Sequence, residues 1–475
     1  MMDCCDLTAT ELRRLIGARK LSPRELLESC IARIEKLNPA LNAIVNPCLD
    51  RARVEAKRAE EAVMRGDALP SLHGMPLGVK DLNDVGGLPT TQGSHLFKNV
   101  VPEKNDNVVE AMVTNGAIVV GKTNVPEHGF GATTDNPLYG ITRNPYDPAR
   151  SCGASSGGTA VALASRMVPL AMGSDFAGSL RTPASYCGIA GFRPSVGAVP
   201  SARRGMGWSP FDVEGPMGRC VADLKLLFSG MAMNDPRDPL AGPVDPAFRE
   251  PVKTVDLSRL RVAVSEDLGF APMGKETRRV FAEKLRLFED VFHSVTPTHP
   301  DMRQADRAFY ILRGIGFVND FRPMYEENPG AFGPTIIDEL ARAEKLSIAD
   351  IGWAMGEHTR IFRRAEAFFD DYDLLITPAA SVPPFLHEEQ YPREIDGEDM
   401  GGYLRWEAIS YGVTLFAGPA VVIPAGLGPG KMPLGLQLIA RKGCDCRLLD
   451  IAHTLERVFA GTPGLVTLPP PMAIA

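Results

Sequence analysis

The amino-acid sequence predicts an α/β protein in which a mixed β-sheet is sandwiched between helices. From about His73 onward, short β-branched runs alternate with Gly, Pro and Asn, as at residues 117–120 and 168–171. Helix-like segments such as residues 158–164 lie between these runs. Strand-like runs return near the carboxyl terminus, at residues 374–377, 420–423 and 435–440. The carboxy-terminal part is therefore expected to complete the sheet.

The amino-terminal region is expected to be helical and to dock on the larger part of the chain. Thr8 is followed by Glu11, and Ser22 by Glu25, and both pairs have the spacing of a capping box. In that arrangement two side chains satisfy the free N–H groups at a helix start. Pro23 stands at the first helical position of the second helix, where its missing N–H is not needed.

The middle of the chain, residues 235–369, is richer in helix formers and charge than its surroundings. Two long helical segments are predicted there, at 275–288 and 338–369, together with one strand at 261–264. This pattern predicts an inserted region that shapes a substrate site. The sheet is expected to resume after it.

Composition and charge exclude several classes of function. The chain has 58 acidic and 51 basic residues in a mixed distribution, with a net charge of −7. Nucleic acid is not an expected partner, because no basic block could neutralise a run of phosphates. No stretch approaches the length of a membrane-spanning helix, and the first residues do not resemble a signal peptide. A cytoplasmic protein that does not bind membranes is therefore expected.

The cysteines do not predict a disulfide framework or a metal site. There are nine of them, an odd number at irregular spacing. Cys444 and Cys446 have no second Cys or His pair near them in the sequence. A zinc site needs such a second pair, so no metal is expected.

Residues 116–123 fit the phosphate-loop pattern G-x-x-x-x-G-K-T and open a nucleotide-binding interpretation that uses Gly121, Lys122 and Thr123. In a phosphate loop, the residues between the glycines form an open turn, and a helix begins at the lysine. Here those residues are Ala-Ile-Val-Val, which is typical of a buried strand, and Pro126 interrupts any helix. The context therefore disfavours this interpretation.

Residues 153–157 fit G-x-S-x-G, the nucleophile elbow of α/β-hydrolases, with Ser155 as the nucleophile. An elbow follows a strand, whereas residues 144–150 are typical of a loop. It also needs a downstream histidine. The candidates lie in no recognisable motif and are expected to be surface or packing residues: His293, His299, His358, His387 and His453.

Three Gly-rich or charged segments remain as candidates for chemistry, at residues 78–81, 153–158 and 173–181. Each lies at a predicted strand end or loop, where catalytic groups are commonly displayed. Lys80 follows an apolar run, and burial there would lower its pKa and make it a general base. Taken alone, Lys80 is better explained as a strand-end charge or as the ion-pair partner of Asp81.

Two serines lie in the glycine-rich segments, Ser155 and Ser179, which are 24 residues apart. Glycines allow unusual dihedral angles, so that consecutive N–H groups can converge on one oxygen. Acyl transfer requires such a set of donors for its oxyanion. Serines in loops of this kind are otherwise helix caps or turn residues.

In this order and spacing, the three segments resemble the amidase signature family, whose active site is a Lys–Ser–Ser triad. The resemblance covers about residues 8–460 and is weakest between 235 and 369. Further similar segments are residues 72–81, 87–94, 121–127, 144–145, 179–184, 191–195, 214–217, 418–426 and 433–438.

The resemblance implies the amidase signature fold and a single domain of residues 1–475. The signature core would lie at about 60–230 and 410–460, and the helix-rich, substrate-shaping region at about 235–400. No cofactor and no metal would be required. The partners implied are a small-molecule substrate and at most a second copy of the chain in a homodimer.

Carried over by position, Ser179 would be the nucleophile, Ser155 the bridging serine after a cis peptide bond at Ala154, and Lys80 the base. Neutral Lys80 would accept a proton relayed through Ser155, and Ser155 would then protonate the leaving amine. Backbone N–H groups would form the oxyanion hole, namely those of Phe176, Ala177, Gly178 and Ser179. Asp175 and Arg181 are expected to pair and to hold the nucleophile loop.

The chain departs from the family pattern at three positions beside this site. Phe176 and Ala177 stand where the family usually has Thr-Gly, and Ala154 stands where it usually has Gly. The chemistry is expected to survive, because these positions supply only backbone groups. The bulk of Phe176 is expected to change the shape of the acyl pocket.

The predicted function is an amidase that hydrolyses a linear carboxamide, or a related ester or carbamate. An amidotransferase subunit that releases ammonia for a partner remains an alternative, as do the nucleotide-binding protein and a non-catalytic binding protein. The sequence does not identify the substrate. Phe309, Tyr310 and Phe317 have helix-like spacing and are expected to belong to the core rather than to a pocket.

Overall fold

The computed structural model describes residues 3–465, together with Leu468 and Pro471. Within them, thirteen strands are formed. Their bounds are β1 Ile44–Pro47, β2 Met75–Lys80, β3 Ala117–Thr123, β4 Leu170–Asp175, β5 Ala190–Arg193, β6 Val213–Gly218, β7 Arg261–Val264, β8 Ser294–Pro297, β9 Leu374–Pro378, β10 Glu394–Ile395, β11 Glu398–Asp399, β12 Ala420–Leu427 and β13 Pro433–Ile439.

Thirteen α-helices accompany these strands in the described residues. Their bounds are α1 Ala9–Gly17, α2 Pro23–Leu41, α3 Leu49–Arg65, α4 Asn107–Thr114, α5 Gly157–Ala164, α6 Arg181–Cys187, α7 Val221–Met231, α8 Lys275–Leu285, α9 Ala305–Glu327, α10 Pro334–Ala343, α11 Ile348–Asp371, α12 Ala408–Thr414 and α13 Asp445–Ala460. Both predicted capping boxes are present, at Thr8 before α1 and at Ser22 before α2.

Eleven strands form one continuous mixed sheet, in the order β1-β3-β2-β4-β6-β5-β12-β13-β9-β7-β8. Strands β3, β2 and β4 are parallel to one another, and so are β9, β7 and β8. The strands between these two parallel groups pair antiparallel. The sheet therefore consists of two parallel halves joined by an antiparallel centre.

Helices cover both faces of the sheet, because successive side chains of a strand point to opposite sides. In β3, Val119 packs into a cluster with side chains of α1, α4, α7 and α13. Its neighbours Ile118 and Val120 pack on the other side, with side chains of α2, α3, α5 and α6. In β9, Leu375 likewise faces α9, α11 and α12. The molecule is a three-layer sandwich, as predicted.

The helix-rich stretch differs from its prediction in two respects. Its strands β7 and β8 pair with each other, and β7 pairs with β9, so the stretch extends the sheet to its edge. The run 338–369, predicted as one helix, is interrupted where α10 ends and α11 begins at a new capping box on Ser347. A serine that competes for backbone hydrogen bonds favours such a boundary.

The sequence that fits the phosphate-loop pattern forms the buried strand β3. Lys122 lies 3.1 Å from a carboxylate oxygen of Asp81, and neither side chain is exposed. Its Nζ also donates to Thr90 Oγ1 at 3.0 Å. This lysine is therefore half of a buried ion pair, and the strand leaves no open turn for a phosphate.

None of the helices in the described residues is long and apolar enough to cross a membrane.

Replacement of Lys122 by Met is expected to lower the free energy of unfolding by about 3 to 5 kcal/mol, because it leaves the Asp81 charge buried and unpaired. Urea denaturation of wild type and Lys122→Met measures the change. Lys57→Met, on the exposed side of α3, is the matched control and is expected to leave the transition unchanged. A stable Lys122→Met variant that had lost saturable ATP binding would instead support the nucleotide-binding interpretation.

Candidate functional site

Lys80 is the last residue of β2 and is completely buried. Its Nζ donates to Ser155 Oγ at 2.8 Å, to Ser174 Oγ at 3.0 Å and to the Ser174 carbonyl at 3.3 Å. Burial lowers the pKa of Lys80 to about 8, although the negative charges of Glu214 and Asp212 oppose that change. The strand therefore presents an amine that is partly neutral near neutral pH and, in that form, can accept a proton from the hydrogen-bonded serine.

Ser155 lies in the loop that leads into α5, and a cis peptide bond joins it to Ala154. The side chain is 4% exposed and is directed at Lys80. In the described chain, no strand directly precedes this loop, so Ser155 does not stand on a nucleophile elbow. None of the five histidines considered for an elbow lines the cavity that holds Ser155 in the described structure.

Ser179 lies in the turn between β4 and α6, which is held by buried charges. Asp175 ends β4, and its carboxylate contacts Arg181 at 2.9 Å and Arg193 at 3.1 Å. All three side chains are completely buried. Despite its burial, the two arginines hold the pKa of Asp175 well below its usual range. The predicted pair of Asp175 and Arg181 is thus present, and Arg193 is a third member.

The backbone of the same turn determines which oxyanion donors are free. Gly178 has φ 137° and donates its N–H to Asp175 Oδ1 at 3.0 Å. The N–H of Gly178, which is predicted to contribute to the oxyanion hole, is thus already bonded in this geometry. Among the described hydrogen bonds, the N–H groups of Phe176, Ala177 and Ser179 have no acceptor. These three remain the candidate donors.

Ser155 and Ser179 line one cavity of about 520 Å³, a volume typical of small-molecule sites. No direct hydrogen bond joins the two serine side chains in the described residues, but Ser156 N–H donates to the Ser179 carbonyl at 3.3 Å. The cavity thus brings together the two serines from separate loops, with Lys80 bonded to one of them.

Helix α9 supplies much of the opposite wall of the cavity. Phe317, predicted to be core, is buried in an apolar cluster and also lines the cavity. Phe309 is fully buried and stacks on Tyr411 at 4.3 Å between ring centroids. Tyr310 is partly buried beside them. The cavity lining mixes aromatic and aliphatic side chains with charged ones, which include Arg203, Asp212 and Arg313.

Two titratable residues near the site were not singled out by the sequence. Glu214 on β6 lies opposite Ser174 in the sheet, is 1% exposed, and accepts from Asn83 at 2.9 Å. Burial raises its pKa to about 7. His128 lines the cavity within a group of phenylalanine rings, and burial lowers its pKa to about 4. It is therefore a neutral wall residue rather than a base at neutral pH.

The cysteines form no disulfide bond in the described structure. All nine are free thiols. Cys187 is fully buried in the apolar cluster beneath α5 and α6. Cys444 and Cys446 belong to no group of metal-ligating side chains in the part of the chain that is described.

Comparisons with known proteins show what this chain is similar to. A family model described as Amidase matches residues 25–449. An acylamidase from Rhodococcus erythropolis is 34% identical, over 95% of this chain and 95% of the relative. A glutamyl-tRNA(Gln) amidotransferase subunit from Chloroflexus aurantiacus is 31% identical, over 96% of this chain and 98% of the relative.

Among solved structures, a bacterial aryl acylamidase described as an amidase signature enzyme is similar with a TM-score of 0.87 and 26% identity. The alignment covers 97% of this chain and 99% of that one. This similarity confirms the predicted α/β fold, with its large mixed sheet between helices.

The pH dependence of the reaction is expected to follow Lys80. Below its pKa of about 8 the amine is charged and cannot accept a proton, so kcat/KM should rise with pH and reach half its plateau near pH 8. Glu214→Gln removes a negative charge that favours the charged lysine, so its midpoint should lie lower than that of wild type. A pH–rate profile of both proteins measures this. A flat profile, or a midpoint that moves to higher pH in Glu214→Gln, would contradict the assignment of Lys80 as the base.

Proposed function

This chain belongs to the amidase signature family and hydrolyses C–N bonds, and on that premise we propose that it cleaves a carboxamide through an acyl-enzyme on Ser179. The observation that carries the proposal is the 2.8 Å hydrogen bond from buried Lys80 to Ser155 Oγ. A lysine in this position withdraws a proton from a serine only when it is neutral, and burial favours that form.

The proposed first step is acylation. Ser179 Oγ attacks the amide carbon while its proton passes to Ser155, whose own proton passes to Lys80. The carbonyl oxygen becomes an oxyanion and accepts from the free N–H groups of Phe176, Ala177 and Ser179. Lys80 then returns its proton to Ser155 as Ser155 donates its own to the nitrogen, the C–N bond breaks, the amine leaves, and Lys80 is neutral again. Water releases the acid by the same relay in reverse.

The relay requires the substrate to bring Ser179 and Ser155 together. No hydrogen bond joins their side chains in the described structure, and catalytic contacts commonly tighten only in the substrate complex. The nucleophile loop is already positioned by Asp175, so the closing movement is confined to two hydroxyl groups. Such preorganisation is the main source of rate enhancement in oxyanion chemistry.

The large cavity favours a substrate with a bulky apolar part. Its wall includes Phe130, Phe317 and Leu312, and its volume of about 520 Å³ suits a ring or a short chain. Esters and carbamates with the same shape are included in the proposal, because the attack on their carbonyl needs the same groups. A cytoplasmic location and a homodimer stay predictions.

A second candidate is a glutamine-hydrolysing protein that delivers ammonia to a partner. It is favoured by the 31% identity with the amidotransferase relative over nearly the whole of both chains. Glutaminase activity that appears only together with a copurifying protein would support it. Hydrolysis of apolar amides by the purified chain alone would support the amidase.

Replacement of Ser179 by Ala is expected to lower kcat by several orders of magnitude for every substrate, because it removes the covalent path. Ser155→Ala and Lys80→Met should each cause losses of similar size, since members of one relay act as a unit. The measurement is hydrolysis of a panel of aliphatic amides, anilides, esters and carbamates, with mass spectrometry of the peptide that carries the acyl group.

Ser229→Ala, on α7 and away from the cavity, serves as the control and should keep full activity. The proposal fails if Ser179→Ala hydrolyses amides at a normal rate. If Ser155→Ala alone is inactive and acyl label is found on Ser155, the elbow interpretation is correct instead.

A further inference from the structure

A second, much smaller compartment adjoins the nucleophile. It has a volume of about 40 Å³ and is lined by the turn that carries Ala177, Gly178 and Ser179. Ser179 and Phe176 belong to both this compartment and the large cavity. The two spaces therefore meet at the serine, and a bound amide can extend into each of them from its scissile carbonyl.

Glu407 contributes a carboxyl group to the small compartment. It precedes α12 and is 7% exposed. Its Oε2 accepts from Thr182 Oγ1 at 2.8 Å, whereas its Oε1 has no hydrogen bond among the described residues. The same carboxyl lies against Gly178, where a Cβ atom would come within 3.0 Å of Oε2. One oxygen is thus fixed, and the other is available to a ligand.

The charge on Glu407 is suppressed in this setting. Burial raises its pKa to about 8, with only partial opposition from Thr182 and Arg181. At neutral pH the group is mostly a neutral carboxylic acid, which can both donate and accept a hydrogen bond. A small polar ligand group can therefore bind to it without an opposite charge.

The position of Ser155 decides which side of the amide enters the small compartment. Ser155 lines the large cavity and not the small one. In the proposed relay this serine protonates the leaving nitrogen, so the amine part must lie on its side. The acyl part then points the other way, past Ala177 and toward Glu407.

We propose that Glu407 closes an acyl subsite that accepts only short acyl groups and prefers one with a terminal hydroxyl or amino group. The inference rests on the proposed acyl-enzyme on Ser179. A water molecule needs about 10 to 15 Å³ of such volume, so the compartment has room for about three atoms of that size. Counted from the carbonyl carbon, with the carbonyl oxygen on the oxyanion donors, an acetyl group places two atoms in this space and a glycolyl group three, whereas a butyryl group places four and exceeds it.

The substrates that test the subsite differ only in the acyl group. They are the acetyl, glycolyl, propionyl and butyryl amides of 4-nitroaniline, whose release is followed by absorbance. Glycolyl and propionyl have the same number of heavy atoms, and only glycolyl can bind Glu407 by a hydrogen bond. The wild-type kcat/KM should be about tenfold higher for glycolyl than for propionyl. The butyryl amide should be at least tenfold poorer than the acetyl amide.

Variants at Glu407 distinguish the effect of its hydrogen-bonding group from the effect of its size. Glu407→Leu should reduce the glycolyl preference to about one, because the carboxyl group that binds the terminal hydroxyl is removed. Glu407→Gln should keep most of the glycolyl preference. This variant also tests the subsite if the leucine variant does not fold. Glu456→Gln changes another buried carboxyl, on α13, and should leave the ratio unchanged.

The failure of this inference is distinct from a failure of the proposed function. If the anilides are hydrolysed through Ser179 but glycolyl and propionyl react alike, or butyryl reacts as fast as acetyl, the Glu407 subsite is overturned. An unchanged preference in Glu407→Leu would also overturn it. If no amide is hydrolysed in a Ser179-dependent way, the proposed function itself is wrong.

Discussion

The buried ion cluster of Asp175, Arg181 and Arg193 is the constraint on which the rest of the site depends. Asp175 accepts hydrogen bonds from Gly178 and from the backbone of Leu180, and so fixes the turn on both sides of the nucleophile. Arg181 continues the network across the molecule, to the Ser410 carbonyl and Gln437 Oε1 at 2.7 Å each. Removing one member of such a cluster leaves a buried charge without its partner. The turn, α12 and β13 are consequently held as one unit.

The local part of this architecture could be predicted from the sequence. Capping boxes, buried strands and the Lys80 segment depend on residues a few positions apart, and these predictions agree with the structure. The resemblance to the amidase signature family then related the three segments to one active site. The interruption before Ser347 was missed, because helix-forming composition on both sides masked one capping signal.

Contacts between distant segments could not be predicted from the sequence. Glu214 faces Ser174 only because β6 pairs with β4, and Glu407 reaches Gly178 across more than two hundred residues. The Gly178 N–H was assigned to the oxyanion hole by position, and only the geometry shows that Asp175 already accepts it. Burial and pairing of this kind depend on the packed sheet and leave no periodic signal in the chain.

The extension of the sheet by β7 and β8 has a consequence for how a ligand reaches the cavity. Helix α9 covers the cavity and lies in the chain between β8 and β9, which both belong to that sheet. Contacts with α10, α11 and α12 hold it along its length. A cover anchored at both ends does not swing open as a hinged flap. Beside the helix the cavity is lined by the loop that carries Arg204 and Ser209, so this loop and α9 together set the space that is open to a ligand.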